Sequence, residues 1–253
     1  MTGYVKRRPD APPGFFAVEA AGLRWLAESA ANGGCEVARV LDVGAAHIEL
    51  QRIDEIPASP SAAENFGRAL AVTHGAGAPA FGVPPDGWAG DGFIGNQPLA
   101  MGRYAAWGAF YAELRLLPYA RAARDRGTLS SEGSAAVESV CRRLVDGEFD
   151  DGRPPARIHG DLWAGNVLFA RAGVVLIDPA AHGGHGQTDL AMLLLFGLAQ
   201  VDRVSAAYAE AARLPADWAT RTELHQLHPL LVHAVSHGAS YGHAAERAAA
   251  RYR

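Results

Sequence analysis

The spacing of apolar residues predicts a small sheet beside a helix in the first part of the chain. The segment FFAVEAAGLRWLAESAA has the period of an amphipathic helix. One stripe of this segment contains Phe15, Val18, Gly22 and Trp25. The following segments, CEVARVLDV and AHIELQRI, alternate like two short strands around a Gly-Ala-Ala turn. We therefore expect a helix packed on at least one β-hairpin.

Beyond this sheet the pattern is mainly helical. SPSAAENFGRALAVTH reads as a helix opened by a capping box, because Ser61 stands three residues before Glu64. Residues 75–102 are rich in proline and glycine and predict a long ordered loop, a kind of segment that is often functional. Residues 104–126, residues 130–145 and the carboxyl-terminal third again have helical period.

One segment, IHGDLWAGNVLFARAGVVLID at 158–178, breaks the helical pattern with a distinctive order of polar residues. VLF and VVLI are apolar and β-branched, and RAG between them supplies a turn, so Val167–Phe169 and Val174–Ile177 predict a hairpin. Asn166 precedes the first strand and Asp178 follows the second, so the two side chains are expected to converge. Asp161 lies on the loop that leads in.

These three polar residues suit phosphoryl transfer. An Asn and an Asp at convergent strand ends supply oxygen ligands of the kind that Mg²⁺ prefers. A separate carboxylate, Asp161, can accept a proton from an attacking hydroxyl. Transfer of a phosphoryl group from ATP requires a metal ion that neutralises charge, a base that accepts a proton, and residues that position the reactants. Each residue alone is more often a turn residue, but the order of all three favours the chemical interpretation.

Composition fits an ordinary globular protein. The chain has 253 residues, of which 49% are hydrophobic and 20% charged, with a net charge of −4. No basic patch is visible, so we expect no nucleic-acid partner. The amino-terminal sequence MTGYVKRRPDAPPG lacks the apolar core of a signal peptide, and the run LAMLLLFGLA is too short to span a bilayer. Cys35 and Cys141 fit no metal-ligand pairing and read as free thiols, which favours the cytoplasm.

The motifs HGDLWAGN, VVLIDPA and GHGQTDLAM resemble the fructosamine kinase, or ketosamine-3-kinase, family. This family is a branch of the aminoglycoside phosphotransferase group with the protein-kinase-like fold, and the Trp of HGDLW distinguishes the branch. The resemblance runs from Tyr4 to the carboxyl end and includes FIGNQ, FYAELRLLP and QLHPLLVHAV. It implies an α+β, bilobal fold with a small amino-terminal lobe and a mainly helical carboxyl-terminal lobe.

The resemblance also implies roles for individual residues. Asp161 would be the catalytic base, Asn166 and Asp178 the Mg²⁺ ligands, and Asp189 a buried support for the catalytic loop. His159 would be a substrate or support residue of the same loop.

Three further residues complete the expected site. Lys6 and Glu19 match the lysine and helix-borne glutamate that pair in kinase folds, the lysine touching the α- and β-phosphates of ATP. Trp163 lies between the expected base and the Asn; it would either wall the sugar site or pack in the core.

Two departures from the family pattern are visible. Only five residues precede Lys6, so the glycine-containing loop that covers the ATP phosphates is missing. We expect either a start codon placed too late or a protein that has lost this clamp, and in both cases a poor catalyst. The lobes would then be residues 1–53, without the first strands, and residues 54–253. Gly186 and Gln187 replace a charged pair common in the family.

The acceptor expected from the resemblance is a small or protein-linked ketosamine, such as a fructosamine or ribulosamine. Phosphorylation at O3 would make the adduct labile and restore the amine, which is a protein repair reaction. Aminoglycoside, choline and homoserine kinases share the Asp-Asn-Asp arrangement, so those acceptors remain open.

Two other classes also remain open. A non-catalytic nucleotide-binding protein would follow from loss of the clamp. A metal-dependent hydrolase would use zinc at His182 and His185, which lie four and seven residues past Asp178, but it would leave Asn166 without a role. The histidines at 225, 228, 233, 237 and 243 read as packing or surface residues on a helix.

Overall fold

The computed structural model of the protein describes residues 3–253 as a mixed structure of helices and short strands. The helices are α1 (Phe15–Ala27), α2 (Pro60–Gly75), α3 (Trp107–Phe110), α4 (Leu117–Asp125), α5 (Ser131–Val145), α6 (Gly186–Phe196), α7 (Val201–Ala211), α8 (Thr222–His237) and α9 (Ala239–Ala249). A π-helical segment, Tyr111–Leu116, joins α3 to α4, and short 3₁₀ turns cover Ala30–Asn32, Ala164–Asn166 and Trp218–Arg221.

The strands are β1 (Gly3–Arg7), β2 (Glu36–Val37), β3 (Val40–Gly44), β4 (His47–Gln51), β5 (Gly92–Ile94), β6 (Gln97–Leu99), β7 (Ala156–Ile158), β8 (Val167–Ala170), β9 (Gly173–Leu176) and β10 (His182–Gly184). They form four small sheets with the orders β1-β4-β3, β2-β9-β8, β7-β10 and β5-β6.

The first sheet is antiparallel and carries Lys6 on its edge strand. Lys6 of β1 stands opposite Ile48 of β4, and the predicted hairpin of β3 and β4 is confirmed, with a register shift between Val40 and Asp42. Ile48 is fully buried, because its face of the sheet packs against α1. The position of Lys6 is therefore fixed by the register of a strand.

Helix α1 lies between this sheet and the centre of the molecule. A Cβ added at Gly22 would meet Ala181 Cβ at 3.1 Å and Pro179 Cγ at 3.3 Å, so the helix approaches the segment after β9 closely. The predicted helix is confirmed, but its buried face is broader than the predicted stripe. Phe16 and Leu23 are buried, whereas Phe15 and Val18 are only partly so, because α1 is covered on two sides.

The start of α2 corrects the predicted capping box. The N-cap is Ser59, whose side chain accepts from the backbone N–H of Ala62 at 3.2 Å, and Pro60 is the first helical residue. Proline suits this position because it has no N–H to leave unpaired. Ser61 instead lies inside the first turn, and Glu64 pairs with Arg203 at 2.7 Å.

The predicted loop of residues 75–102 is partly wrong, since it contains the hairpin of β5 and β6. Phe93 is registered with Pro98, and Gly95 has a φ of 53° at the tip. A proline is tolerated here because the two-stranded sheet leaves its outer edges free of partners. The tip is held to the first sheet, where Arg8 Nη1 donates to Asn96 Oδ1 at 2.9 Å.

The carboxyl-terminal part is mainly helical, as predicted. Helices α5, α8 and α9 and the π-helical segment pack around a core that includes Phe110, Leu116, Val140, Leu227 and Leu231. A second core joins α1 and the first sheet to α2, α6 and the β8–β9 hairpin, through residues such as Leu26, Ile48, Leu70 and Leu176. Among residues 3–253, no helix combines the length and apolar character that crossing a bilayer requires.

Candidate active site

A lysine and two carboxylates from distant parts of the sequence meet beside α1. Lys6 Nζ lies 2.6 Å from Glu19 Oε1 and 2.6 Å from Asp178 Oδ1. Lys6 comes from β1, Glu19 from α1 and Asp178 from the turn after β9. The pairing that the sequence predicted for Lys6 and Glu19 is therefore present, and Asp178 joins it.

Burial and charge act in opposite directions on this lysine. Burial alone would lower the pKa of Lys6, but the carboxylates of Glu19 and Asp178 outweigh burial, and the pKa lies above the usual value. Burial raises the pKa of Glu19, and the charge of Lys6 opposes that rise. Lys6 is therefore a stable cation. Its ammonium has three donors; it donates to Asp178 Oδ1 and forms an ion pair with Glu19.

The loop from His159 to Asn166 places two polar side chains, those of Asp161 and Asn166, beside this cluster. Asn166 Nδ2 donates to the backbone carbonyl of Asp161 at 2.8 Å and approaches Asp161 Oδ2 and Asp178 O at 3.4 Å each. The hairpin of β8 and β9 is formed as predicted, and it brings Asn166 and Asp178 together. Asp178 has a φ of 55°, in the left-handed region that residues other than glycine rarely adopt.

Asp189, at the start of α6, holds the His159–Asn166 loop through its backbone. Its carboxylate accepts from the backbone N–H of His159 at 2.7 Å and of Gly160 at 2.8 Å. His74 Nε2 donates to the same carboxylate at 3.0 Å, and the Tyr208 hydroxyl lies 2.7 Å from His74 Nδ1. Burial opposes ionisation of Asp189, but these hydrogen bonds and His74 outweigh it and lower the pKa.

His159 and Gly160 fix the course of the loop. His159 Nε2 donates to the carbonyl of Ile177 at 2.8 Å, and its Nδ1 accepts from the N–H of Asp161. Burial lowers the pKa of His159, which agrees with a neutral ring that both donates and accepts. Gly160 has a φ of 81°, and a Cβ there would lie 2.3 Å from the carbonyl oxygen of Ala180. Only glycine fits this position.

Asp161 has an unusual carboxyl group. Burial, followed by the negative charges of Asp178 and Asp189, raises its pKa to about 7. A carboxyl group with a pKa near neutrality can both take up and release a proton at physiological pH. Strong pKa shifts of this origin are typical of active sites.

Two cavities meet at Asp161. The first, here called the lysine cleft, has a volume of about 390 Å³, and its lining includes the polar residues Lys6, Glu19, Asn166 and Asp178 and the aromatic residues Phe15 and Phe93. The second, here called the histidine cavity, has a volume of about 610 Å³; its lining includes Arg126, Phe196, His233, Ser236, His237 and Tyr241. Asp161, Trp163 and Gly95 line both.

Trp163 is a wall residue of these cavities and not a core residue, since 44% of it is exposed. The core-packing alternative for this residue is therefore wrong. The structure places all eight residues predicted for the site, from Lys6 to Asp189, within one connected region. Their assigned roles remain predictions.

The residues of the alternative zinc site serve other contacts. His182 Nδ1 donates to the carbonyl of Ala180 at 2.8 Å, and its ring packs on Phe110. His185 Nε2 lies 3.2 Å from Asp151 Oδ2. Within residues 3–253, no group of three or more His, Cys, Asp or Glu side chains is arranged to hold a metal ion. Cys35 and Cys141 are free and buried, as expected.

Comparison with solved structures identifies the architecture. An apo structure of a thermostable mutant of aminoglycoside phosphotransferase APH(4)-Ia superposes with a TM-score of 0.61 over 92% of this chain and 83% of that one, at 15% identity. This likeness shows the fold, which is the bilobal protein-kinase-like α+β fold predicted from the sequence. The class is thus that of proteins with the protein-kinase-like fold.

Closer relatives define the family within this class. A crystal structure from Thermobifida fusca YX-ER1, of a protein named as a candidate fructosamine-3-kinase, has 47% identity, a TM-score of 0.89 and coverage of 98% of this chain and 85% of that one. A Thermus thermophilus protein named "Probable ketoamine kinase" is 35% identical over 94% of this chain and 82% of its own length. The fructosamine kinase family model matches residues 2–252. The chain belongs to the fructosamine kinase family.

Sequence reasoning missed several residues of the site. His74, which supports Asp189, lies at the end of α2, and nothing in the local sequence connects it with a residue 115 positions later. His233 and His237 are packing or surface residues of α8, as predicted, but they also line the histidine cavity, which the sequence did not reveal. Their spacing of four on α8 puts them on one helical face, which was the available signal.

Proposed function

We propose that the protein transfers the γ-phosphoryl group of ATP to O3 of a ketosamine, such as a fructosamine or a ribulosamine. The observation that carries the proposal is the position of Asp161, a carboxyl group with a pKa of about 7 at the junction of two cavities. One cavity offers a cation for a phosphate, and the other offers room for an acceptor. Membership of the fructosamine kinase family supports the choice of acceptor.

The lysine cleft is suited to the nucleotide. Lys6 has a free donor beyond its two carboxylate contacts, and this donor is available to a phosphate oxygen. Glu19 holds the ammonium in position from α1. Phe15 and Phe93, with ring centroids 5.2 Å apart, supply an apolar wall to the same cleft.

Asn166 and Asp178 fit a magnesium ion. The amide nitrogen of Asn166 is directed at the carbonyl of Asp161, which leaves its amide oxygen as the group available to a cation. Asp178 adds a carboxylate oxygen of the same hard type. When bound, Mg²⁺ would neutralise the charge of the β- and γ-phosphates.

The chemical step then uses Asp161. The acceptor O3 attacks the γ-phosphorus, its proton passes to the Asp161 carboxylate, and the bond between the γ-phosphorus and the bridging oxygen breaks to release ADP. The backbone contacts of Asp189 and the ring of His159 hold the loop that carries Asp161. The resulting 3-phosphate would make the sugar–amine bond labile, which restores the free amine in a repair reaction.

An acceptor panel tests this proposal. The purified chain is incubated with ATP and Mg²⁺ and with N-substituted fructosamines or ribulosamines, choline, homoserine or an aminoglycoside, and products are followed by ³¹P NMR. We expect a new phosphomonoester on O3 of the ketosamines only, with no transfer when Mg²⁺ is replaced by EDTA.

Two results would contradict the proposal. Transfer confined to choline, homoserine or the aminoglycoside would keep the kinase and reject the ketosamine. Tight ATP binding with no transfer to any acceptor would instead support a nucleotide-binding protein without catalysis.

A further inference from the structure

The charges that line the histidine cavity are asymmetric. Asp161 is the one carboxylate among its lining residues within the described chain, and it lies where the cavity meets the lysine cleft. The basic residues of the lining are Arg126, His233 and His237. The remainder of the wall is neutral and includes Asn96, Gln97, Ser236 and several aromatic rings. The cavity therefore has a carboxylate at one end and basic side chains elsewhere along its wall.

Arg126 is held in place by a hydrogen bond to the protein and has further N–H groups available to a ligand. Its Nη1 donates to the backbone carbonyl of Val235, near the end of α8. A guanidinium carries five N–H donors in a planar fork, so most of the fork remains for a ligand. Arg126 is exposed to solvent along the cavity wall. A planar, permanently charged fork of this kind matches a carboxylate.

The two histidines add polar surface to the same wall. Their rings stack with centroids 4.9 Å apart, and His233 Nδ1 donates to the carbonyl of Pro229 at 2.8 Å. Burial, followed by the nearby His237, lowers the pKa of His233 against the opposing Pro229 hydrogen bond. His233 is therefore neutral at physiological pH, and Arg126 is the permanent cation of this wall.

We infer that the acceptor carries a carboxylate that binds Arg126, which makes it the ketosamine of a free α-amino acid. This inference rests on the proposed function and narrows its substrate class. In such an adduct the carboxylate lies next to the carbon that bears the amine, within a molecule that the cavity of about 610 Å³ can hold. A ketosamine on a lysine side chain inside a protein has no carboxylate at this position.

The matched substrates are the fructosyl adducts of valine and of valinamide, which differ only in whether the acid is ionised or amidated. We expect kcat/KM to be higher for the acid by about tenfold, the size of one charge-assisted contact. Amidation also changes the basicity of the amine, so the substrate pair alone does not isolate Arg126.

A substitution of Arg126 isolates the contribution of its contact with the carboxylate. Arg126→Gln is expected to raise KM for fructosyl-valine about tenfold, with little effect on fructosyl-valinamide. Arg124→Gln serves as the control, because Arg124 is also exposed but pairs with Asp125 and does not line the cavity. It should leave both substrates unchanged. Folding of each variant is checked by thermal unfolding.

The outcomes separate the two proposals. If both adducts are phosphorylated and Arg126→Gln changes neither, or changes both equally, the carboxylate inference is wrong and ketosamine kinase activity stands. An equal loss on both substrates would assign Arg126 to support of α8 through Val235. If neither adduct nor any other ketosamine is phosphorylated, the proposed function fails, and this inference fails with it.

Discussion

The surroundings of Asp161 disfavour ionisation of its carboxyl group and, by doing so, bring its pKa into the range that suits a general base. Its carboxyl group is partly buried and lies near the carboxylates of Asp178 and Asp189, and both effects raise its pKa to about 7. The same environment that would suit a general base makes the ionised form costly to the fold. As pH rises through about 7, ionisation of Asp161 should therefore lower the stability of the fold and raise the rate of phosphate transfer.

The stability effect has a definite sign. A carboxyl group whose folded pKa exceeds its unfolded value of 3.8 contributes stability at low pH and loses it as pH rises through about 7. Asp161→Asn should thus match the wild type near pH 4 and be more stable at pH 8, by up to about 4 kcal/mol, since each pKa unit is worth about 1.4 kcal/mol.

Urea unfolding at several pH values, without Mg²⁺, measures this difference. Asp86→Asn, a change at an exposed position, should give the same stability as the wild type throughout the range. A constant offset between Asp161→Asn and the wild type from pH 4 to pH 8 would show that the Asp161 carboxyl group has an ordinary pKa.

The sequence predicts the residues of the site where they are close along the chain. Asp161, Asn166 and Asp178 lie around one hairpin, so the order of polar and apolar residues was enough to bring them together. Arg126 and His74 reach the site only through packing of α4 on α8 and of α2 on α7. Such contacts leave no local pattern, which is why the sequence alone did not reveal these residues.

At the scale of elements, α2 shows why short polar motifs are ambiguous. The sequence SPSAAE offers two serines as N-cap, and a Glu three residues after Ser61 favoured the second. The structure uses Ser59, because Pro60 occupies the first helical position, where its fixed φ and missing N–H are suitable. The β5–β6 hairpin was missed for a related reason, since prolines and glycines masked its two short strands.

Two serine substitutions test this assignment. Ser59→Ala should lower the free energy of unfolding by about 1 kcal/mol, because the N–H of Ala62 loses its side-chain acceptor. Ser61→Ala should cost less than about 0.5 kcal/mol. The free energies of unfolding of both variants are measured by guanidinium unfolding. A larger loss of stability for Ser61→Ala than for Ser59→Ala would show that Ser61 is the N-cap residue.

At the scale of the whole molecule, the site depends on contacts between the first sheet and the helical part. Lys6 on the first sheet reaches Asp178 of the β8–β9 hairpin, and Arg8 reaches Asn96 at the tip of the β5–β6 hairpin. A shared core of α1, α2, α6 and β9 supports these contacts. The bilobal architecture was implied by the resemblance to the fructosamine kinase family, whereas the β5–β6 hairpin beside the two cavities could not be inferred from the sequence motifs. The division into lobes at residue 53 stays a prediction.

In the proposed reaction, Asp161 acts as the base between a nucleotide and a ketosamine. The most direct measurement is the initial rate of ³²P transfer from Mg²⁺-ATP to a fructosamine by the wild type and by Asp161→Asn, with ATP affinity measured on the same samples. We predict that the rate falls roughly 10²–10⁴-fold while ATP affinity is retained. A variant that transfers phosphate at close to the wild-type rate would contradict the account.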